Sequence, residues 1–160
     1  MKKIEMSTQL KNARLNSKLL QFYEVEPETV MELPLFQSKV SAGFPSPAED
    51  YEEQKLDLNK KLVKHQSSTF FITVQGYSMI NAGINDGDML IVDRSIRPTN
   101  NSIAVCVMNG EFTVKRISNT KEGLYLIPEN QAYKPIKVSD DKNFQVWGVV
   151  SYIIKNASKV

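Results

Sequence analysis

The chain has 160 residues, 41% of them hydrophobic, and 20 Lys+Arg against 18 Asp+Glu leave a net charge of +2 at pH 7. Those figures fit one domain with an appendage, exclude wholesale disorder, and give no electrostatic reason to expect nucleic acid or a membrane surface as a direct partner. A single Cys and a single His exclude an internal disulfide and an imidazole-built zinc site, and they force any Ser-His-Asp scheme through His65.

Lys2 and Lys3 open the chain, but no apolar h-region follows them, so no signal peptide is expected. No stretch approaches the ~18 apolar residues of a membrane span. The expected address is the cytoplasm, with thiols reduced. Residues 1–20 are basic, through Lys2, Lys3, Lys11, Arg14 and Lys18. Residues 21–32 are acidic, through Glu24, Glu26, Glu28 and Glu32. The apolar positions here follow no single period, so the region reads as a weakly structured, solvated arm, with a short helix from Ser7 as the alternative.

Residues 41–50 have linker composition. Pro45 and Pro47 lack donors and hold their predecessors extended, so 43–52 is expected to be extended and exposed. Asp57 is a candidate N-cap for a short helix carrying Leu58 and Leu62 on one face. Strands rich in Val, Ile, Phe and Tyr are then expected at 69–74, 88–92, 103–108, 111–117, 124–127, 136–138 and 144–154, divided by Gly, Asn, Asp and Pro turn signals. Many short strands without intervening helices predict a mainly β body of twisted, largely antiparallel sheets, preceded by a flexible N-terminal arm.

Asn109-Gly110 between apolar runs predicts a type I′ hairpin in which Met108 faces Glu111, Cys106 faces Thr113 and Ala104 faces Lys115. Lys115 then shares a face with Ala104, Cys106, Thr113 and Ile117, while Val105, Val107, Phe112 and Val114 take the other. Both faces are largely apolar, as in a strand covered on both sides. A Lys inside such a strand has two readings. Its head can snorkel to water, or it can be desolvated, with a lowered pKa, and serve as a general base.

Ser78, in Gln75-Gly76-Tyr77-Ser78-Met79-Ile80, is the nucleophile candidate, since it follows a strand and a Gly turn that can expose its hydroxyl. Ile80 replaces the second Gly of a G-x-S-x-G elbow. His65, at a polar helix end, reads as exposed and idle. Asp86, Asp88 and Asp93 do not read as a cation site, because Asn85-Asp86-Gly87-Asp88 reads fully as a turn between strands. Cys106 reads as a small core hydrophobe.

The runs Phe44-Pro45-Ser46-Pro47-Ala48-Glu49-Asp50-Tyr51, Gly76-Tyr77-Ser78-Met79-Ile80, 86–93 (Asp-Gly-Asp-Met-Leu-Ile-Val-Asp) and 109–115 (Asn-Gly-Glu-Phe-Thr-Val-Lys) closely resemble the UmuD branch of the LexA-type serine peptidases. Leu126-Ile127-Pro128 with Asn130 and Tyr133, and Gly148-Val149-Val150, fit the same family. The likeness spans about Ser41 to Lys155.

The resemblance implies a self-cleaving peptidase with a Ser-Lys dyad, Ser78 as nucleophile and Lys115 as base. It implies an oxyanion site at the Ser78 and Met79 N–H groups and a cut at Ala42–Gly43. The chain would divide into an arm, 1–42, and a peptidase domain, 43–160, with no cofactor and no metal. Implied partners are a second copy in a homodimer, the RecA–single-stranded-DNA filament and a UmuC-like Y-family polymerase in translesion synthesis. No membrane and no sequence-specific DNA contact are implied. Tyr77 departs from the Asp or small polar residue usual before the Ser. The arm is long for this branch, yet too short for a winged helix-turn-helix. Alternatives are a non-cleaving dimeric regulator of transcription or polymerase access, and a signal-peptidase relative acting on other chains.

Overall fold

The computed structural model describes residues 20–24, 30–36, 53–139 and 143–159. The chain divides into two compact units, residues 26–64 and the remainder.

The smaller unit pairs β2 (Glu32–Phe36) antiparallel with β3 (Glu53–Asp57), from Glu32 opposite Asp57 to Phe36 opposite Glu53. Pro34 lies in β2, which has only one strand neighbour, the edge position at which sheets tolerate a proline. The expected helix follows as α1 (Leu58–Leu62), with the Asp57 carboxylate accepting the Asn59 N–H at 2.9 Å. Leu58 stays half exposed. The connection between β2 and β3 contains Ala42–Gly43. That bond, the 41–50 linker and the possible helix from Ser7 all lie outside the described residues.

Among its described residues, the larger unit forms one antiparallel sheet of eight strands. They are β1 (Leu20–Glu24), β4 (Thr69–Val74), β5 (Met89–Asp93), β6 (Ile103–Met108), β7 (Glu111–Thr120), β8 (Gly123–Ile127), β9 (Ile136–Lys137) and β10 (Phe144–Ile154). The spatial order is β1-β4-β5-β10-β6-β7-β8-β9. The expectation of a mainly β, antiparallel body is therefore met. Strand β5 begins one residue later than expected, and β7 runs on to Thr120.

Strands β1, β2 and β3 were not expected. Each is five residues long and mixes apolar with polar or charged residues, so none carries a clear period. Pairing specifies them: Leu20 sits opposite Val74 and Glu24 opposite Phe70, which places β1 on the outer edge of β4.

The hairpin forms in the expected register, with Met108 opposite Glu111, Cys106 opposite Thr113 and Ala104 opposite Lys115. Asn109 and Gly110 both have positive φ, 52° and 84°, as a type I′ turn requires. The alternation sends Val105, Phe112 and Val114 into one core cluster with Ile72, Leu90 and Val92. Ala104, Cys106 and Ile117 enter a second cluster with Leu126. Strand β7 is thus covered on both faces, and Lys115, at 7% exposure, is buried among apolar groups. Among the described residues no helix is long and apolar enough to cross a membrane.

Candidate active site

Strand β4 ends at Val74, and the chain turns through Gly76 at φ 103°, a conformation that favours glycine. The Gly76 N–H donates to Asp86 Oδ1 at 2.7 Å, tying this turn to the Asn85–Asp88 turn before β5. Met79, 2% exposed, is a peg in the first core cluster. A 3-10 turn at Ile80–Ala82 follows, in which the Ala82 N–H donates to the Met79 carbonyl at 3.0 Å. Between the turn and the peg, Ser78 is left half-buried at the wall of a cleft of about 220 Å³. Lys115 and Thr113 line the same cleft, with Tyr77 and Tyr133 at its exposed rim.

The structure brings the two expected residues together. Lys115 Nζ lies 2.9 Å from Ser78 Oγ, 2.8 Å from Thr113 Oγ1 and 2.9 Å from the Val114 carbonyl oxygen. As an ammonium it donates to all three. As a neutral amine it keeps two donors, for Thr113 and Val114, and its lone pair accepts the Ser78 O–H. Among the described residues no carboxylate pairs with Lys115.

Burial therefore pushes the Lys115 pKa below its ordinary value of 10.5, against a smaller opposing effect of Cys106. Burial also pushes the Cys106 thiol up to about 12, opposed by the nearby Lys115 charge. Cys106 consequently stays a neutral thiol, as expected of a core hydrophobe, and supplies no counter-ion. The snorkelling reading of Lys115 does not hold, because its head is enclosed and bonded to protein oxygens.

Sequence reasoning placed Thr113 on the Lys115 face but gave it no role. It gave Asn130 none either, although Asn130 Nδ2 donates to the Tyr77 carbonyl at 2.8 Å. Only the fold shows that contact, since the two residues are 53 positions apart.

His65 has no part in the cleft. Its Nδ1 lies 2.7 Å from Asp93 Oδ2, and Ser95 Oγ lies 3.0 Å from the same nitrogen. Asp93 Oδ1 accepts hydrogen bonds from Ser95 Oγ at 2.7 Å, the Ser95 N–H at 2.7 Å and Ser68 Oγ at 3.0 Å. The expectation of an idle His is corrected: the ring is exposed but tied to a buried carboxylate. Asp86 and Asp88 are also engaged, Asp86 by Gly76 and Asp88 by the Asn85 N–H and Lys155 Nζ.

The Peptidase S24-like family model matches residues 34–151. The chain is 40% identical over 124 residues to Protein MucA of Salmonella typhimurium, covering 77% of this chain and 84% of that protein. It is 39% identical over 127 residues to Protein ImpA of the same organism, covering 76% and 82%. LexA repressor 1 of Xanthomonas campestris pv. campestris is 34% identical over 129 residues, 81% of this chain and 63% of the repressor.

Proposed function

Because the chain belongs to the Peptidase S24-like family, we propose that it is a self-cleaving serine peptidase in which Lys115 activates Ser78 against its own Ala42–Gly43 bond. The observation that carries this reading is the 2.9 Å contact between Ser78 Oγ and a buried Lys115 amine with no carboxylate partner among the described residues.

The chemistry runs in two halves. Neutral Lys115 takes the Ser78 proton as the oxygen attacks the Ala42 carbonyl carbon. The tetrahedral oxyanion is met by backbone N–H groups at Ser78 and Met79. Collapse breaks the Ala42–Gly43 bond, and Lys115 returns the proton to the departing Gly43 amine. Water, deprotonated by Lys115, then hydrolyses the Ser78 acyl ester and frees the Ala42 carboxylate. Thr113 Oγ1 and the Val114 carbonyl hold the amine on its far side, leaving the lone pair to face Ser78. The substrate is tethered, so its effective concentration is high and recognition can be loose.

The product is a body of residues 43–160, freed from an arm of residues 1–42. The same reading makes the RecA–single-stranded-DNA filament the stimulus for cleavage. The cleaved body, as a homodimer, serves a UmuC-like Y-family polymerase in the cytoplasm. The near-neutral charge is consistent with a role in DNA damage tolerance exerted through protein partners.

The test is intact mass after incubation at alkaline pH and, separately, with RecA, single-stranded DNA and a nucleotide. The expected product begins at Gly43 and is absent in Ser78→Ala and Lys115→Ala. No such fragment under either condition overturns the reading.

A further inference from the structure

The loop after β8 grips the nucleophile turn on both sides of Ser78. Asn130 Nδ2 donates to the Tyr77 carbonyl at 2.8 Å, and the Asn81 N–H donates to the Glu129 carbonyl at 2.8 Å. The orientation of the Asn130 amide is set independently, because its Oδ1 accepts the Ala132 N–H at 2.9 Å and that partner can only donate. Glu129 is in turn ion-paired with Arg116, the residue next to Lys115 on β7. Arg116 also donates to the Asn101 carbonyl at 2.7 Å. One loop therefore holds both the turn that carries the nucleophile and the strand that carries the amine.

The Asn130 contact falls on one particular peptide unit. A trans peptide is planar, with its C=O and N–H pointing in opposite directions, and no cis bond interrupts the described chain. Fixing the Tyr77 carbonyl therefore fixes the direction of the Ser78 N–H on the other side of the same plane. A flipped unit would aim a carbonyl where an oxyanion needs a donor. From this geometry we infer that Asn130 is a positioning residue for self-cleavage, holding the Tyr77–Ser78 peptide so that the Ser78 N–H faces the developing oxyanion. The inference rests on the peptidase reading for its consequence, and on the Asn130–Tyr77 contact alone for its structural part.

The two parts are tested together in the full chain, with Asn130→Ala and Asn130→Asp. The Asp variant keeps the shape and the acceptor for the Ala132 N–H, but it loses the donor to Tyr77. The first readout is the Ser78 amide resonance in a 15N–1H spectrum. It is expected to shift or broaden in both variants while the β6 and β7 amides stay in place. The second is the rate of fragment formation against pH, expected to fall about 10- to 100-fold, the order of a weakened oxyanion donor. The midpoint pH should stay where Lys115 sets it, whereas general loosening of the site would move it. An unmoved Ser78 amide, a rate within twofold of wild type, or a midpoint displaced with the rate would each overturn the inference. A wild-type chain that never cleaves overturns the peptidase reading alone, and the amide resonance still decides the clamp.

Discussion

Among its described residues, the larger unit sets a serine hydroxyl beside a basic nitrogen twice, and the two places differ in what surrounds that nitrogen. At Ser78 the nitrogen is the buried Lys115 amine, bonded, among the described residues, only to neutral oxygens. At Ser95 it is the exposed ring of His65, leaning on the Asp93 carboxylate. Hydroxyl-to-nitrogen distances are nearly equal, 2.9 and 3.0 Å. In the second cluster the serine and the carboxylate crowd the same ring nitrogen, so no proton path runs from hydroxyl through ring to acid. A triad needs both nitrogens, one for each partner. In the first, burial without a counter-charge favours the neutral amine, the form that accepts a proton. Contact distance alone does not separate a reactive pair from a structural one; desolvation and the partition of partners do.

The sharpest way to break this comparison is to remove each side chain in turn. Ser78→Ala and Lys115→Ala are expected to slow self-cleavage by about 10³-fold or more. His65→Ala and Ser95→Ala should leave the rate within about twofold. The measurement is fragment yield against time by intact mass. A His65→Ala chain as slow as Lys115→Ala would make the His65 cluster the reactive one.

Acidity separates the two next. Below its lowered pKa, the neutral fraction of Lys115 grows tenfold per pH unit, so the cleavage rate should climb with that slope. It should then level off at a pH below the ordinary lysine value of 10.5. His65→Ala should follow the same curve. Lys115→Arg, which keeps its charge at every accessible pH, should show no rising limb. A wild-type rate that is flat or falling with pH is incompatible with an amine base.

Much of this was legible beforehand, for reasons that differ by residue. The Asn109-Gly110 turn and the alternation around it are local, so the pairing of Ala104 with Lys115 could be read directly. That Lys115 meets Ser78 came from resemblance, because nothing local links residues on different strands. The ends of β4, β6 and β10 were sharp where apolar runs met Gly, Asn or Pro. Strands β1 to β3 were illegible because their neighbours, rather than their own composition, define them. The Asp93 cluster was hidden for the same reason: Ser68 and His65 reach it from 25 and 28 residues away. Asn130 was visible as part of a motif, but its contact with a backbone carbonyl has no sequence signature.

Stability offers a third contrast. Burial pushes the Asp93 carboxyl up, but hydrogen bonds from His65, from the Ser95 side chain and backbone, and from Ser68 outweigh it and lower its pKa from 3.8 to about 2. A carboxylate held below its unfolded value stabilises the fold above that value, and the contribution is lost as pH falls through the folded pKa. The gain at neutral pH is on the order of 2 kcal/mol. Asp93→Asn should therefore destabilise the chain by about that amount at pH 7, and the gap to wild type should close as pH drops from about 4 toward 2. Denaturant midpoints at several pH values measure it. A gap independent of pH would assign the loss to packing instead of charge.

Lys115 should show the opposite sign. Its folded pKa is depressed, so below 10.5 the unfolded chain binds the proton more tightly, and the fold pays for an enclosed amine. That cost fades as pH rises toward 10.5. Lys115→Met keeps most of the stem volume and removes the amine, so it should abolish cleavage while raising stability at pH 7 by about 1 kcal/mol. The gain is limited because the Thr113 hydroxyl and the Val114 carbonyl lose a partner. It should shrink further in the same measurement at pH 10. A loss of about 1 kcal/mol or more would instead mean that the three oxygens around Nζ hold a stable ammonium. The contrast with Asp93 would then disappear, and with it the argument that burial makes this lysine a base.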